Sequence, residues 1–171
     1  APEENEITKG LSAGEVTDDT YMTMIISEAI IENNGMPKPE ILVKKILGWA
    51  DENKSRVNNL FGPSTKKALE SIMNGTPIEE AGKFGITNGS SMRIAPVGII
   101  SDWRNIDSLI ENVRLTCLAT HNTNHAIAAA SAIAAAISYA IRGDNDIEKL
   151  IHIAKSASEK GMQLGHKSIG A

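Results

Sequence analysis

The sequence predicts an all-α protein, an irregular bundle of helices, on three observations. Apolar residues recur at helical spacing in one segment after another, and glycine or Asn-Gly punctuates those segments. No stretch alternates apolar with polar residues as a half-buried strand does. The run from Ala126 to Ala140 holds nine alanines, a composition that lets neighbouring helices approach closely.

The first helix is expected over Thr20 to Glu32, where Tyr21, Met24, Ile25 and Ala29 share helical spacing. Asn33-Asn34-Gly35 then offers residues that tolerate a left-handed stop. Pro39 to Glu52 reads as a surface helix, with proline near its start and Ile41, Leu42, Ile46 and Trp49 forming a stripe bordered by lysines. A polar linker from Asn53 to Pro63 leads to a short helix over Ser64 to Met73, closed by Asn74-Gly75. Thr76-Pro77-Ile78-Glu79 has capping-box spacing and predicts one or two further turns.

Gly82 to Ser91, rich in glycine and small polar residues, reads as a functional loop. In the apolar run from Met92 to Ile100, Pro96 is expected to kink or end any helix. Ile106 to Ala119, Asn124 to Arg142 and Asn145 to Lys160 complete the set, with Gly143 and Gly161 as stops and Asn145 paired with Glu148 as a cap. The alanine-rich segment is the expected central buried helix. No period of 20–50 residues recurs, which argues against a solenoid.

A length of 171 residues fits one helical domain over the whole chain. Hydrophobic residues at 42% and charged residues at 22% belong to an ordinary folded protein rather than a disordered one. The net charge of -4 supplies no basic field for nucleic acid. A single cysteine, Cys117, lies in the apolar run Val113 to Ala119 and reads as a small buried hydrophobe, which fits a reducing, cytoplasmic location. The polar, acidic start from Ala1 to Gly10 does not read as a signal peptide. Ala126 to Ile141 is too short and too weakly hydrophobic for a bilayer span.

Three places could carry chemistry. Thr17-Asp18-Asp19-Thr20 clusters two carboxylates and two hydroxyls at the mouth of the first helix, hard oxygen ligands suited to magnesium, manganese or calcium. The plainer alternative is that Thr17 or Asp18 caps the helix and the other acid favours its dipole. A cap needs one oxygen, however, and a second adjacent aspartate adds repulsion that a cation would offset. Asn88-Gly89-Ser90-Ser91-Met92-Arg93 puts small residues ahead of a helical stretch, either as a site for a phosphate or other anion or as a turn with a serine cap. Thr120-His121-Asn122 lies at a helix end, where the imidazole either faces a cleft or hydrogen-bonds the helix terminus. His125, His152 and His166 have no metal-ligand spacing and are assigned no chemistry.

Three segments in this order, Gly14-Glu15-Val16-Thr17-Asp18-Asp19-Thr20-Tyr21-Met22, Thr87-Asn88-Gly89-Ser90-Ser91-Met92-Arg93 and Leu118-Ala119-Thr120-His121, resemble the ADP-ribosylglycohydrolase family. Gly62-Pro63-Ser64-Thr65 before a helix extends the resemblance over most of the chain. The resemblance implies an irregular orthogonal helical bundle around two Mg2+ or Mn2+ ions. It also implies hydrolysis of the glycosidic bond between ADP-ribose and a protein side chain or small acceptor. Carried over by position, Thr17, Asp18 and Asp19 would be metal ligands, with Asp18 and Asp19 also catalytic. Asn88, Gly89, Ser90 and Ser91 would hold the diphosphate or ribose, His121 would line the ADP-ribose cleft, and Arg93 would brace the loop.

The departures are as specific. The family's early Gly-Asp-Ala-Leu-Gly and late Gly-Gly-Asp-Thr-Asp-Thr do not occur, and Asp144-Asn145-Asp146 reads as a helix cap. The chain starts at Ala1 without methionine and stops at Gly170-Ala171, shortly before that late motif would come, so truncation or proteolysis of a larger domain is the expectation. The missing ligands would come from a C-terminal segment or a second polypeptide. The alternative is an inactive ADP-ribose-binding or structural protein, as the lens crystallins related to this family are.

Overall fold

The computed structural model describes residues 11–12, 14–54, 60–143 and 145–168. Eight α-helices lie among them, with no strand: α1 Asp18–Glu32, α2 Pro39–Glu52, α3 Pro63–Met73, α4 Ile78–Ala81, α5 Ala95–Ile100, α6 Ile106–His121, α7 Asn124–Ala140 and α8 Ile147–Gly161. A 3-10 turn, Ser91–Arg93, joins the glycine-rich loop to α5. The all-α expectation therefore holds. The expected start at Ala1 to Gly10, the middle of the 53–63 linker and Asp144 fall outside the described residues.

The alanine-rich helix α7 is the hub, packing against α5, α6, α8 and the 3-10 turn. Ile127, Ala130, Ala134 and Tyr139 of α7 meet Leu109, Val113 and Cys117 of α6, Ile153 and Ala157 of α8, and Ile94 and Val97 around α5. Small side chains permit this: a Cβ added at Gly161 would come within 2.8 Å of Ser131 Oγ, so α8 approaches α7 to near backbone contact. A second cluster joins Met22 and Ile25 of α1 to Ile46 of α2 and to Phe61 and Leu69. There Trp49 stacks on Phe61 at 5.2 Å and meets Tyr21 at 4.8 Å, which ties α1 to α2.

Several boundaries differ from the expectation for local reasons. Helix α1 begins at Asp18 rather than Thr20, so both aspartates stand in its first turn. Pro96 neither kinks nor ends a helix; it lies in the first turn of α5, where an amide has no intrahelical partner to lose. The Thr76 capping box does not form: Pro77 precedes α4 as its cap residue with no side-chain cap bond. Asp146, not Asn145, caps α8 by accepting from the Lys149 amide at 3.0 Å. Helix α6 runs two residues beyond Ala119, which carries Thr120 and His121 into its last turn.

The left-handed stop of α1 occurs as expected, with Asn34 at φ 53° and Gly35 at φ 86°. Cys117 is fully buried, and burial pushes its thiol up to about 11, as expected for a structural cysteine. After α8 the chain returns to the α6–α7 junction. There the His166 amide donates to Asn122 O and the Asn124 amide donates to His166 O, both at 2.9 Å. No helix among the described residues is long and apolar enough to cross a membrane.

Candidate functional site

At the start of α1, Thr17 occupies the cap position but makes no side-chain cap bond. Its hydroxyl instead donates to Asp19 Oδ2 at 2.9 Å, so the simple capping reading of Thr17 does not hold. Asp18 is half-buried and Asp19 exposed. Burial, and then the neighbouring Asp19 charge, hold the Asp18 carboxyl above its ordinary range. The amides of Asp18 and Asp19 and the Arg93 guanidinium pull the other way. Two adjacent carboxylates and a hydroxyl on one exposed turn are hard donors that fit one side of a divalent cation's shell. Among the described residues no group of three or more His, Cys, Asp or Glu completes such a shell.

Below this turn lies Arg93, 2% exposed, on the 3-10 turn that packs against α1. One terminal nitrogen donates to Thr120 Oγ1 at 2.7 Å, while Nε and the other terminal nitrogen have no partner among the described residues. A buried guanidinium with donors unpaired among the described residues is costly, and the charge of Asp18 offsets part of that cost. From Thr120 the hydrogen bonds continue. Thr120 Oγ1 lies 2.9 Å from His121 Nδ1, His121 Nε2 lies 2.9 Å from Thr87 Oγ1, and Thr87 Oγ1 donates to Ser64 Oγ at 3.5 Å. Because arginine can only donate, the direction that uses every group runs from Arg93 through Thr120 into an unprotonated Nδ1, leaving Nε2–H to donate to Thr87.

The glycine-rich loop is laid directly on the end of α6. The Asn122 amide donates to Gly82 O at 2.9 Å, and Thr123 Oγ1 donates to Gly85 O at 2.7 Å. Gly89 rests on the face of His121, where an added Cβ would sit 2.6 Å from ring atoms. Ser90 is buried and donates to Ala126 O at 3.2 Å. Asn88 is exposed, and Ser91 keeps a buried hydroxyl with no partner among the described residues.

The expected site residues thus fall into two groups joined by Arg93. Thr17, Asp18 and Asp19 form the outer group. Asn88, Gly89, Ser90 and Ser91 form the other, with His121 beneath them rather than at a surface. Sequence reasoning gave Thr87 and Thr120 no role of their own, although both stood inside the motifs. Their importance is as the two partners that fix the His121 ring.

His121 has no exposed surface, and burial, followed by the Arg93 charge, pushes its pKa from 6.5 down to about 3. Folding therefore favours the neutral ring. Its contribution to stability is fully present above pH 6.5 and is lost as the pH falls from there through about 3. Denaturant titrations at stepped pH should show this loss, amounting to a few kcal/mol at most. His121→Gln should flatten the profile over that window; an unchanged slope would mean that another group titrates there.

Residues 2–169 match a protein-family model described as ADP-ribosylglycohydrolase. An uncharacterized protein of Escherichia coli strain K12, YegU, is 35% identical over 173 residues, which cover 99% of this chain and 52% of that protein. An uncharacterized protein of Archaeoglobus fulgidus is 32% identical over 157 residues, covering 92% of this chain and 50% of its own length. The chain spans about half the length of the curated relatives it matches.

Proposed function

The chain belongs to the ADP-ribosylglycohydrolase family, and on that premise we propose that it forms part of a metal-dependent hydrolase that releases ADP-ribose from a protein side chain or a small acceptor. In this reading residues 1–171 are one helical unit of a larger domain. The observation that supports it is convergence. Segments around residues 17–20, 87–93 and 118–121 meet through the packing of α1 on the 3-10 turn, the Arg93–Thr120 bond and the Thr87–His121 bond.

Each residue then has a task. Asp18 and Asp19, with Thr17, hold one side of a pair of Mg2+ or Mn2+ ions, and further ligands come from the rest of the domain. Bound there, the ions would act as Lewis acids and lower the pKa of an attacking water. The Asn88–Ser91 loop receives the diphosphate or ribose, with exposed Asn88 on its open side. Gly89, Ser90 and His121 form the floor that keeps the loop in place. His121, neutral and held at both nitrogens, positions rather than transfers a proton.

The test is release of free ADP-ribose from arginine-linked, serine-linked and small-molecule conjugates by the full-length protein, followed by chromatography. Release should stop on chelation and return with Mg2+ or Mn2+. No release from any conjugate with either ion would overturn the proposal. A binding protein without turnover is the second reading, favoured by the half-set of metal donors among the described residues. Calorimetric binding of ADP-ribose with no release would select it.

A further inference from the structure

Helix α1 carries four acidic residues, Asp18, Asp19, Glu28 and Glu32, and no basic one. Between it and α2 runs an open groove of about 380 Å3. Tyr21, Ile25 and Glu28 line it from α1, following Asp18 at steps of three, four and three residues. The groove therefore starts one turn from the carboxylates of the candidate metal site and runs about 10 Å along the same side of the helix. Trp49 of α2 lines it opposite, with its ring centroid 4.8 Å from that of Tyr21. The two helices run antiparallel here. Lys45 meets Glu28 and Glu32, Trp49 meets Tyr21, and Glu52 comes last, at the end nearest Asp18 and Asp19.

The chain's own Lys45 illustrates what such a groove accepts. Its side chain, 21% exposed, lines one end, and its ammonium is held by Glu28 at 3.3 Å and Glu32 at 2.9 Å. At the other end stands exposed Glu52, a carboxylate with no ion pair among the described residues. Gly48 lies between the two, in the interior of α2, with nothing within 4 Å of an added Cβ. No packing there requires glycine, and glycine weakens a helix interior relative to alanine. What it provides is open floor beside Trp49. An apolar floor with an acidic rim is complementary to lysine or arginine, whose aliphatic stem and charged head seek opposite surroundings. We propose that this groove docks a basic segment of the acceptor polypeptide, with one lysine or arginine lying over Gly48 and reaching Glu52. The proposal rests on the hydrolase reading for the conjugate to which that segment belongs, and it makes the conjugate a protein rather than a small molecule.

The experiment measures fluorescence anisotropy of a labelled arginine- and lysine-rich peptide with the full-length protein, beside the same peptide with glutamate at each basic position. Only the basic peptide should bind, and less tightly as salt is raised. Gly48→Leu, which fills the floor from a position with space for it, should weaken binding at least tenfold without lowering the melting temperature. Glu28→Gln with Glu52→Gln provides a second test should the leucine disturb the helix. On an ADP-ribosylated basic peptide, Gly48→Leu should raise KM at least tenfold and leave kcat, while release from a small-molecule conjugate stays as it was. Equal binding of the two peptides overturns the proposal, as does binding that survives both variants, or a Gly48→Leu effect of the same size on peptide and small-molecule conjugates. Each of these results leaves the hydrolase reading intact wherever ADP-ribose is still released. Groove binding with no release from any conjugate overturns both, by removing the acceptor as the occupant.

Discussion

Asp18→Asn combined with Asp19→Asn in the full-length protein should reduce the rate of ADP-ribose release by about a thousandfold without lowering its stability. The first half follows from the proposed role. Metal charge stabilisation of a transition state is worth several kcal/mol, and about 4 kcal/mol corresponds to a thousandfold in rate. The second half follows from the electrostatics of the helix start. Asp18 is half-buried beside another carboxylate, and both effects disfavour its ionised form. An amide of nearly the same volume removes that repulsion, and because burial and Asp19 outweigh the Arg93 attraction at Asp18, the melting temperature should hold or rise. A structural role for the pair predicts the reverse, a lower melting temperature with activity intact, and that result would remove both acids from the site.

Gly85→Ala should be the most damaging single methyl in the loop. Its added Cβ would fall inside van der Waals contact of the Thr120 carbonyl oxygen and 2.7 Å from His121 Cα. Both obstacles are backbone in the last turn of α6, so no side chain can swing away. The loop must lift, and the bond from Thr123 Oγ1 to Gly85 O is strained with it. A loss of about 3 kcal/mol is expected from overpacking of this kind, or roughly 6–12 °C in melting temperature for a chain of this size. Gly48→Ala is the matched control. That glycine lies on the exposed side of α2 with nothing within 4 Å, and alanine there should gain about 0.5–1 kcal/mol from helix propensity. Equal melting temperatures for the two variants would show that the loop does not depend on its close seat on α6.

Legibility of the site in the sequence was uneven, and particular residues show why. Asp18 and Asp19 stood out as candidates because adjacent acids at a helix start are an unusual local choice that leaves its mark in four consecutive residues. Arg93 was legible only as a brace for the loop, since a guanidinium in sequence carries no sign of being 2% exposed and tied to Thr120 twenty-seven residues away. His121 could be located at a helix end, but its neutral state depends on burial and on the Arg93 charge, neither of which is a local property. Pro96 misled for a related reason. The same ring that breaks a helix interior fits a first turn, and only the path of the chain through Ile94 decides which it meets.

Periodicity, glycine stops and the alanine run determined that the chain is helical, where most helices lie and which one is central. These are properties of a few consecutive residues, and the spacing of apolar side chains along a turn records them directly. Tertiary structure alone decided that the 87–93 and 118–121 motifs share one hydrogen-bonded chain, that the 3-10 turn carrying Arg93 packs against α1, and that Gly85 and Gly89 touch the end of α6. Such facts depend on which surfaces meet across long sequence separations, and burial and electrostatics act through space rather than along the chain.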